Sequence, residues 1–134
     1  MYLCKILLVI IGIFAVYSAV NAALNLIDDS MDNSVKEELV SHCNEIAVYA
    51  QQFYFKPAAM GGGDHTFNTC GSNGKGFRIN PNMSLSKNGT YSGWANEHVF
   101  YITAVPIMVK GKYYNFSQVL CSVTPSSVTV VVQQ

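Results

Sequence analysis

The feature that most constrains this chain is an uncharged segment, residues 6–27, that continues into a polar helical pattern. Twenty-two residues of α-helix span roughly 33 Å, which is about the thickness of the hydrocarbon core of a bilayer. No proline precedes Pro57, and Gly12 is the only glycine before Gly61. Because no turn signal interrupts the pattern, we expect a single helix of roughly 50 residues, about 75–80 Å long.

Apolar residues recur along the second half of this helix with a period of about 3.6 residues. The stripe consists of Leu24, Ile27, Met31, Val35, Leu39, Cys43, Ile46, Ala50 and Phe53. This period indicates a straight amphipathic helix and no heptad supercoil. We expect four residues near the end of the stripe to pack against a sheet: Leu39, Ile46, Ala50 and Phe53.

Strand patterns are clearest near the C-terminus. Residues 98–109 and 113–123 are rich in Val, Ile, Phe and Tyr, and Lys110–Gly111 between them predicts a tight reversal. Residues 128–132 predict a further strand. The predicted fold class is α+β, with one long N-terminal helix, apolar then amphipathic, packed against a small antiparallel sheet of three to four strands.

The chain is long enough for one small globular domain beside the helix. We expect residues 1–56 to form the helix, with an apolar half at 1–27 and an amphipathic half at 28–56. Residues 57–134 form the predicted β-rich head. Within the head, residues 64–93 are dense in Gly, Asn and Ser and predict mostly loop.

The composition argues against several classes of function. The net charge is zero, so a nucleic-acid role has no electrostatic support. His42, His65 and His98 are scattered, and neither a nucleophile elbow nor a Cys-x-x-Cys pair occurs. We therefore predict no enzymatic activity, no cofactor and no metal site.

Charge is unevenly distributed along the chain. Six acidic residues and a single base, Lys36, lie in residues 28–45, whereas six bases and only Asp64 and Glu97 follow residue 55. Ordinary solvated surface is one interpretation. The other is that the acidic helix of one copy meets the basic head of another.

The four cysteines are Cys4, Cys43, Cys70 and Cys121. Cys43 lies on the apolar stripe, where a buried thiol behaves as a small hydrophobe. If the head lies outside the cytoplasm, Cys70 and Cys121 are the natural disulfide pair, closing a loop worth up to ~4 kcal/mol. Spacing alone leaves this pairing open.

The head carries further candidate sites. Asn82, Asn88 and Asn115 each begin an Asn-x-Ser/Thr sequon and are candidate glycosylation sites. Among the many aromatic residues, most are expected in the core. Tyr91 and Trp94 are candidates for exposed residues that contact other subunits.

The N-terminal segment has two interpretations. As a retained anchor, Lys5 on one side and the acidic residues from Asp28 on the other orient the helix with its N-terminus inside and the head outside. As a cleaved signal peptide, it has a basic residue, an apolar core and a cleavage site at 20–22, and the mature chain begins at Ala23.

The long two-part helix followed by a small antiparallel sheet resembles the type IV pilin and pseudopilin superfamily. A narrower likeness lies in 38–40 (ELV), 50–54 (AQQFY) and 56–63 (KPAAMGGG). This pattern is similar to one that closes the helix in pilin-like proteins of some environmental bacteria. Gly61, Gly62 and Gly63 are expected to form a flexible turn.

The resemblance implies a homo-oligomeric filament whose core is a bundle of apolar helix halves. Subunits wait in the inner membrane, and an assembly machinery builds the extracellular fibre. The expected interface residues are Ile6, Leu7, Ile10, Ile13, Phe14, Val16, Tyr17, Val20 and Leu24. A pseudopilin of a secretion system is the alternative within the superfamily, and a secreted or membrane-anchored monomeric binding domain is the alternative outside it.

One residue departs from the superfamily pattern. Pilins typically place a glutamate at the fifth mature position, where it pairs with the N-terminal amine of a neighbour. This chain has Lys5. A buried cation repels an amine, so that docking contact is not expected here.

Overall fold

The computed structural model describes residues 1–68, 76–108 and 113–134. The chain divides into two compact units, Met1–Ser34 and Val35–Gln134. The predicted α+β class is confirmed: a long N-terminal helix carries a four-stranded antiparallel sheet.

Helix α1 spans Tyr2–Phe55, a total of 54 residues. It ends two residues before Pro57, because the proline ring disfavours helical geometry in the residue that precedes it. A short 3-10 helix, Ala58–Met60, follows.

The sheet is a meander of four antiparallel strands in the order β1-β2-β3-β4. Their bounds are β1 Gly89–Ala95, β2 Phe100–Pro106, β3 Gln118–Val123 and β4 Val128–Gln133. The last three lie in the regions predicted as strands. The predicted reversal at Lys110–Gly111 lies outside the described residues.

The first strand corrects the sequence-based prediction that residues 64–93 are mostly loop. Strand β1 pairs with β2 over its whole length, from Gly89 opposite Pro106 to Ala95 opposite Phe100. Gly89, Gly93 and Ala95 are residue types that are depleted in strands, whereas Thr90, Tyr91 and Trp94 are enriched in them. The pairing with β2 and the burial of Tyr91 stabilise the strand in addition.

The core lies between the C-terminal half of α1 and the inner face of the sheet. Helix α1 contributes Leu39, Cys43, Ile46, Ala47, Ala50 and Tyr54. The sheet contributes Tyr91, Phe100, Ile102, Ala104, Val119, Cys121 and Val123. Phe67 and Phe116 complete the buried set.

One predicted core position on α1 is wrong. Phe53 is only half-buried, and the fully packed residue is Tyr54. The ring of Tyr54 lies 4.8 Å from that of Phe67, whereas the ring of Phe53 lies 5.5 Å from that of Phe77. Both positions follow Ala50 by about one turn, so the helical period alone does not distinguish them.

The glycine turn is tightly packed, in contrast to the flexible turn expected. Gly63 N–H donates to Phe53 O at 2.7 Å, and Gly62 N–H donates to Pro57 O at 3.1 Å. A Cβ atom on Gly62 would collide with the carbonyl oxygen of Lys56. The turn thus satisfies carbonyl groups that the end of α1 leaves without helical partners.

Candidate functional site

The uncharged segment 6–27 is the candidate functional site, because it is fully helical and every residue in it is exposed. By length and composition α1 can cross a membrane, and none of its most apolar window is buried within the chain. The nine expected interface residues are 51–73% exposed. Covering nine such side chains is worth on the order of 15 kcal/mol, comparable to the whole stability of a domain. Exposing this surface to water is therefore unfavourable, and lipid or packed protein chains are the surroundings that suit it.

The helix brings most of the expected interface residues to one side. At about 100° per residue, six of them fall within roughly 40° of Ile6 around the axis. These six are Ile6, Ile10, Ile13, Tyr17, Val20 and Leu24. Leu7 and Phe14 lie on one flank of this face, and Val16 lies on the other.

A shallow apolar groove of about 560 Å³ lies along the same part of the helix. It is lined by Val9, Gly12, Ile13, Val16, Tyr17 and Val20. Two of these residues, Val9 and Gly12, were not among the expected interface residues. The signal that could have found them is a glycine among large side chains, because a missing side chain leaves a recess on a helix surface.

The outer face of the sheet is a second exposed surface. Its twelve outward side chains, on alternate positions of the four strands, include no charged residue. Trp94 on β1 and Tyr101 on β2 are stacked there, with ring centroids 5.3 Å apart and planes 23° apart. Trp94 is exposed, as a contact residue should be, but Tyr91 is 4% exposed and is not available for subunit contacts.

The buried thiols lie in the core described above. Burial, and to a smaller extent the neighbouring Cys121 thiol, raises the pKa of Cys43 from 9.0 to about 12. Burial raises the pKa of Cys121 to about 11. No disulfide joins Cys4, Cys43 and Cys121, the cysteines that the structure describes. Cys70 lies outside the described residues, so the pairing of Cys70 with Cys121 stays a prediction.

The three sequons differ in their surroundings. Asn82 is exposed in a turn, where its backbone N–H donates to Asn80 Oδ1 at 3.0 Å. Asn115 is exposed just before β3. Asn88 donates its side-chain Nδ2 to Glu38 Oε2 on α1. The nitrogen that would carry a glycan on Asn88 is therefore engaged with the helix.

The histidines lie in two places. His42 Nε2 is 3.3 Å from Met83 O, and its ring lies 4.5 Å from that of Tyr91. His65 and His98 both lie beside Tyr54, whose hydroxyl is 3.4 Å from His98 Nδ1. Within residues 1–68, 76–108 and 113–134, no three His, Cys, Asp or Glu side chains gather as metal ligands.

The comparisons with known proteins identified no relative of this chain. The chain matches no protein-family model, and no curated protein and no solved structure matches it significantly. The functional assignment therefore depends on the geometry of the chain itself.

Proposed function

We propose that this protein is the structural subunit of an extracellular, type IV pilus-like helical filament, polymerising through residues 6–27. The observation that supports this most is the uncharged helical segment, whose expected interface residues are all at least half exposed. A membrane covers such a segment only while the protein stays anchored. Side-by-side packing of many copies covers the segment after it has left the membrane.

The head supplies a second support. The turn at residues 57–65 returns backbone hydrogen bonds to the last turn of α1, and residues 39–54 of the helix form part of the core. A helix that is built into its own globular domain transmits force from filament core to filament surface.

The direct test is electron microscopy of material sheared from the surface of cells that express the protein. We expect filaments made of this chain, with an intact mass that retains residues 6–27. A soluble monomer whose mature chain begins at Ala23 would contradict the proposal and would favour a secreted binding domain. Short structures confined to the cell envelope would favour the pseudopilin alternative.

A matched pair of substitutions locates the polymerising surface. Val16→Asp places a carboxylate in the apolar bundle, at a cost of several kcal/mol, and should abolish filaments. Val48→Asp changes the same residue type on the same helix, at an exposed position beyond the uncharged segment, and should leave filaments intact. Normal fibres from the Val16→Asp variant would overturn the proposed core packing.

A further inference from the structure

Opposite charges bracket the uncharged segment. Lys5 lies immediately before it, Asp28 and Asp29 lie immediately after it, and all three side chains are exposed. Within the described residues, none of the three takes part in an ion pair. At about 1.5 Å per residue, Lys5 lies roughly 35 Å from the two aspartates along the helix axis. A single copy therefore cannot pair these charges.

The opposite charges also lie on opposite sides of the helix. At about 100° per residue, Asp28 lies roughly 140° and Asp29 roughly 240° around the axis from Lys5. The two carboxylates thus straddle the side that faces away from Lys5. Two parallel helices related by a translation touch through opposite sides, so this placement brings Lys5 of one copy toward Asp28 and Asp29 of another.

The charges distinguish between the staggers that two packed helices could adopt. Packing in register places Lys5 level with Lys5 and the aspartates level with the aspartates, so that no opposite charges meet across the contact and like charges repel. Across the side that carries Lys5, a partial stagger places Lys5 against the uncharged segment, and burying an unpaired charge is costly. A stagger of one whole segment removes both penalties, because it brings Lys5 level with Asp28 and Asp29.

We propose that parallel copies in contact through the Lys5 side of one helix and the Asp28 and Asp29 side of the other are displaced axially by about 35 Å, with Lys5 of one copy paired to Asp28 and Asp29 of the other. The face around Ile6 lies between these two sides and packs against other neighbours in the bundle. The occupant of each aspartate pair is thus a second copy of this chain. This inference rests on the proposed filament and specifies its register. It also gives Lys5 a role in assembly, although Lys5 cannot make the contact of the usual glutamate.

The first test is cross-linking of intact filaments with a carbodiimide, which condenses a lysine amine with a carboxylate into an amide while the reagent takes up the water. Filaments are grown from a mixture of ¹⁴N- and ¹⁵N-labelled chains, so that mixed-label peptides identify links between copies. We expect mixed-label peptides that join Lys5 to Asp28 or Asp29. Filaments whose links from Lys5 reach other carboxylates only, or none, would overturn the register.

The second test is charge reversal with rescue. Lys5→Glu alone, and Asp28→Lys with Asp29→Lys, should each reduce filament yield at least about tenfold, and the triple variant should recover most of it. Lys5→Arg is the conservative control and should assemble normally. If Lys5 served only to orient the segment in the membrane, the triple variant would be the worst of the set, because its flanking charges are reversed.

The outcomes separate this inference from the proposed function. Normal filaments from Lys5→Glu would contradict the proposed pairing of Lys5 with Asp28 and Asp29 but would be consistent with the filament proposal. A wild-type chain that forms no filament would contradict the pairing and the filament proposal together. Should the triple variant fail to accumulate in the membrane, the cross-links of the wild-type filament decide the register by themselves.

Discussion

Gln51 on α1 donates a hydrogen bond from its side-chain Nε2 to the backbone carbonyl oxygen of Thr124, 3.0 Å away and just beyond β3. The contact joins residues that are 73 positions apart in the chain. It ties the helix to the turn between β3 and β4, at a carbonyl group that lies beyond the ladder of the sheet. Gln51 therefore positions the head, although it does not belong to the apolar stripe of α1.

Replacing Gln51 tests this contact. Gln51→Ala should lower the free energy of unfolding by about 1 kcal/mol, because a half-buried acceptor loses its partner. Urea denaturation of the full chain in detergent micelles measures the change. Gln52→Ala, at the exposed neighbouring position, is the control and should be nearly neutral. Equal effects of the two substitutions would show that the bond to Thr124 contributes nothing.

The glycine turn provides a second prediction. Gly62→Ala forces a Cβ atom against the carbonyl oxygen of Lys56 and should destabilise the head by about 2–4 kcal/mol. Gly61 has φ of 80°, and nothing lies within 4 Å of a Cβ built there. Gly61→Asn should therefore cost less than about 1 kcal/mol, because asparagine tolerates this conformation. Thermal unfolding of both variants gives the comparison, and a tolerated Gly62→Ala would refute the tight turn.

Alkaline pH should destabilise the fold through its buried thiols. Cys43 keeps its proton in the folded state up to a pKa of about 12, whereas an unfolded thiol ionises near 9.0. Between these values the folded state binds more protons, so stability is full below pH 9 and falls as pH rises, by about 1.4 kcal/mol per unit for each thiol. Burial also raises the pKa of Tyr91, which acts in the same direction.

Denaturant titrations between pH 8 and pH 11 in reducing buffer measure this decline. Cys43→Ala removes one titrating thiol and should make the decline shallower, even though the variant is less stable at neutral pH. A decline with the same slope in the variant and the wild type would exclude Cys43 as its source.

The predicted bridge between Cys70 and Cys121 is testable by counting thiols. Alkylation of the denatured, unreduced chain should modify two cysteines, Cys4 and Cys43, if the bridge is present. Cys70→Ser should then lower the free energy of unfolding by up to about 4 kcal/mol under oxidising conditions. Modification of all four cysteines in protein taken from outside the cytoplasm would refute the bridge.

Local chemistry determined much of the architecture. Pro57 prevents the helix from continuing, and α1 ends at Phe55, close to the expected boundary. The 3.6-residue period placed Leu39, Ile46 and Ala50 in the core, where they are buried. Strands β2, β3 and β4 formed where β-branched and aromatic residues are concentrated. Each of these features depends on residues that are close together in the chain.

Only the tertiary structure decided the remaining features, because they depend on partners that are distant in sequence. Strand β1 pairs with β2 over its whole length, although the Gly-, Asn- and Ser-rich composition of residues 64–93 predicted mostly loop there. Tyr54, and not Phe53, is the buried residue, and its ring packs against the ring of Phe67. Tyr91 is buried against His42 of the helix, so a residue expected at the surface became part of the core. A sequence period specifies which side of an element is apolar, but packing decides which side chains meet there.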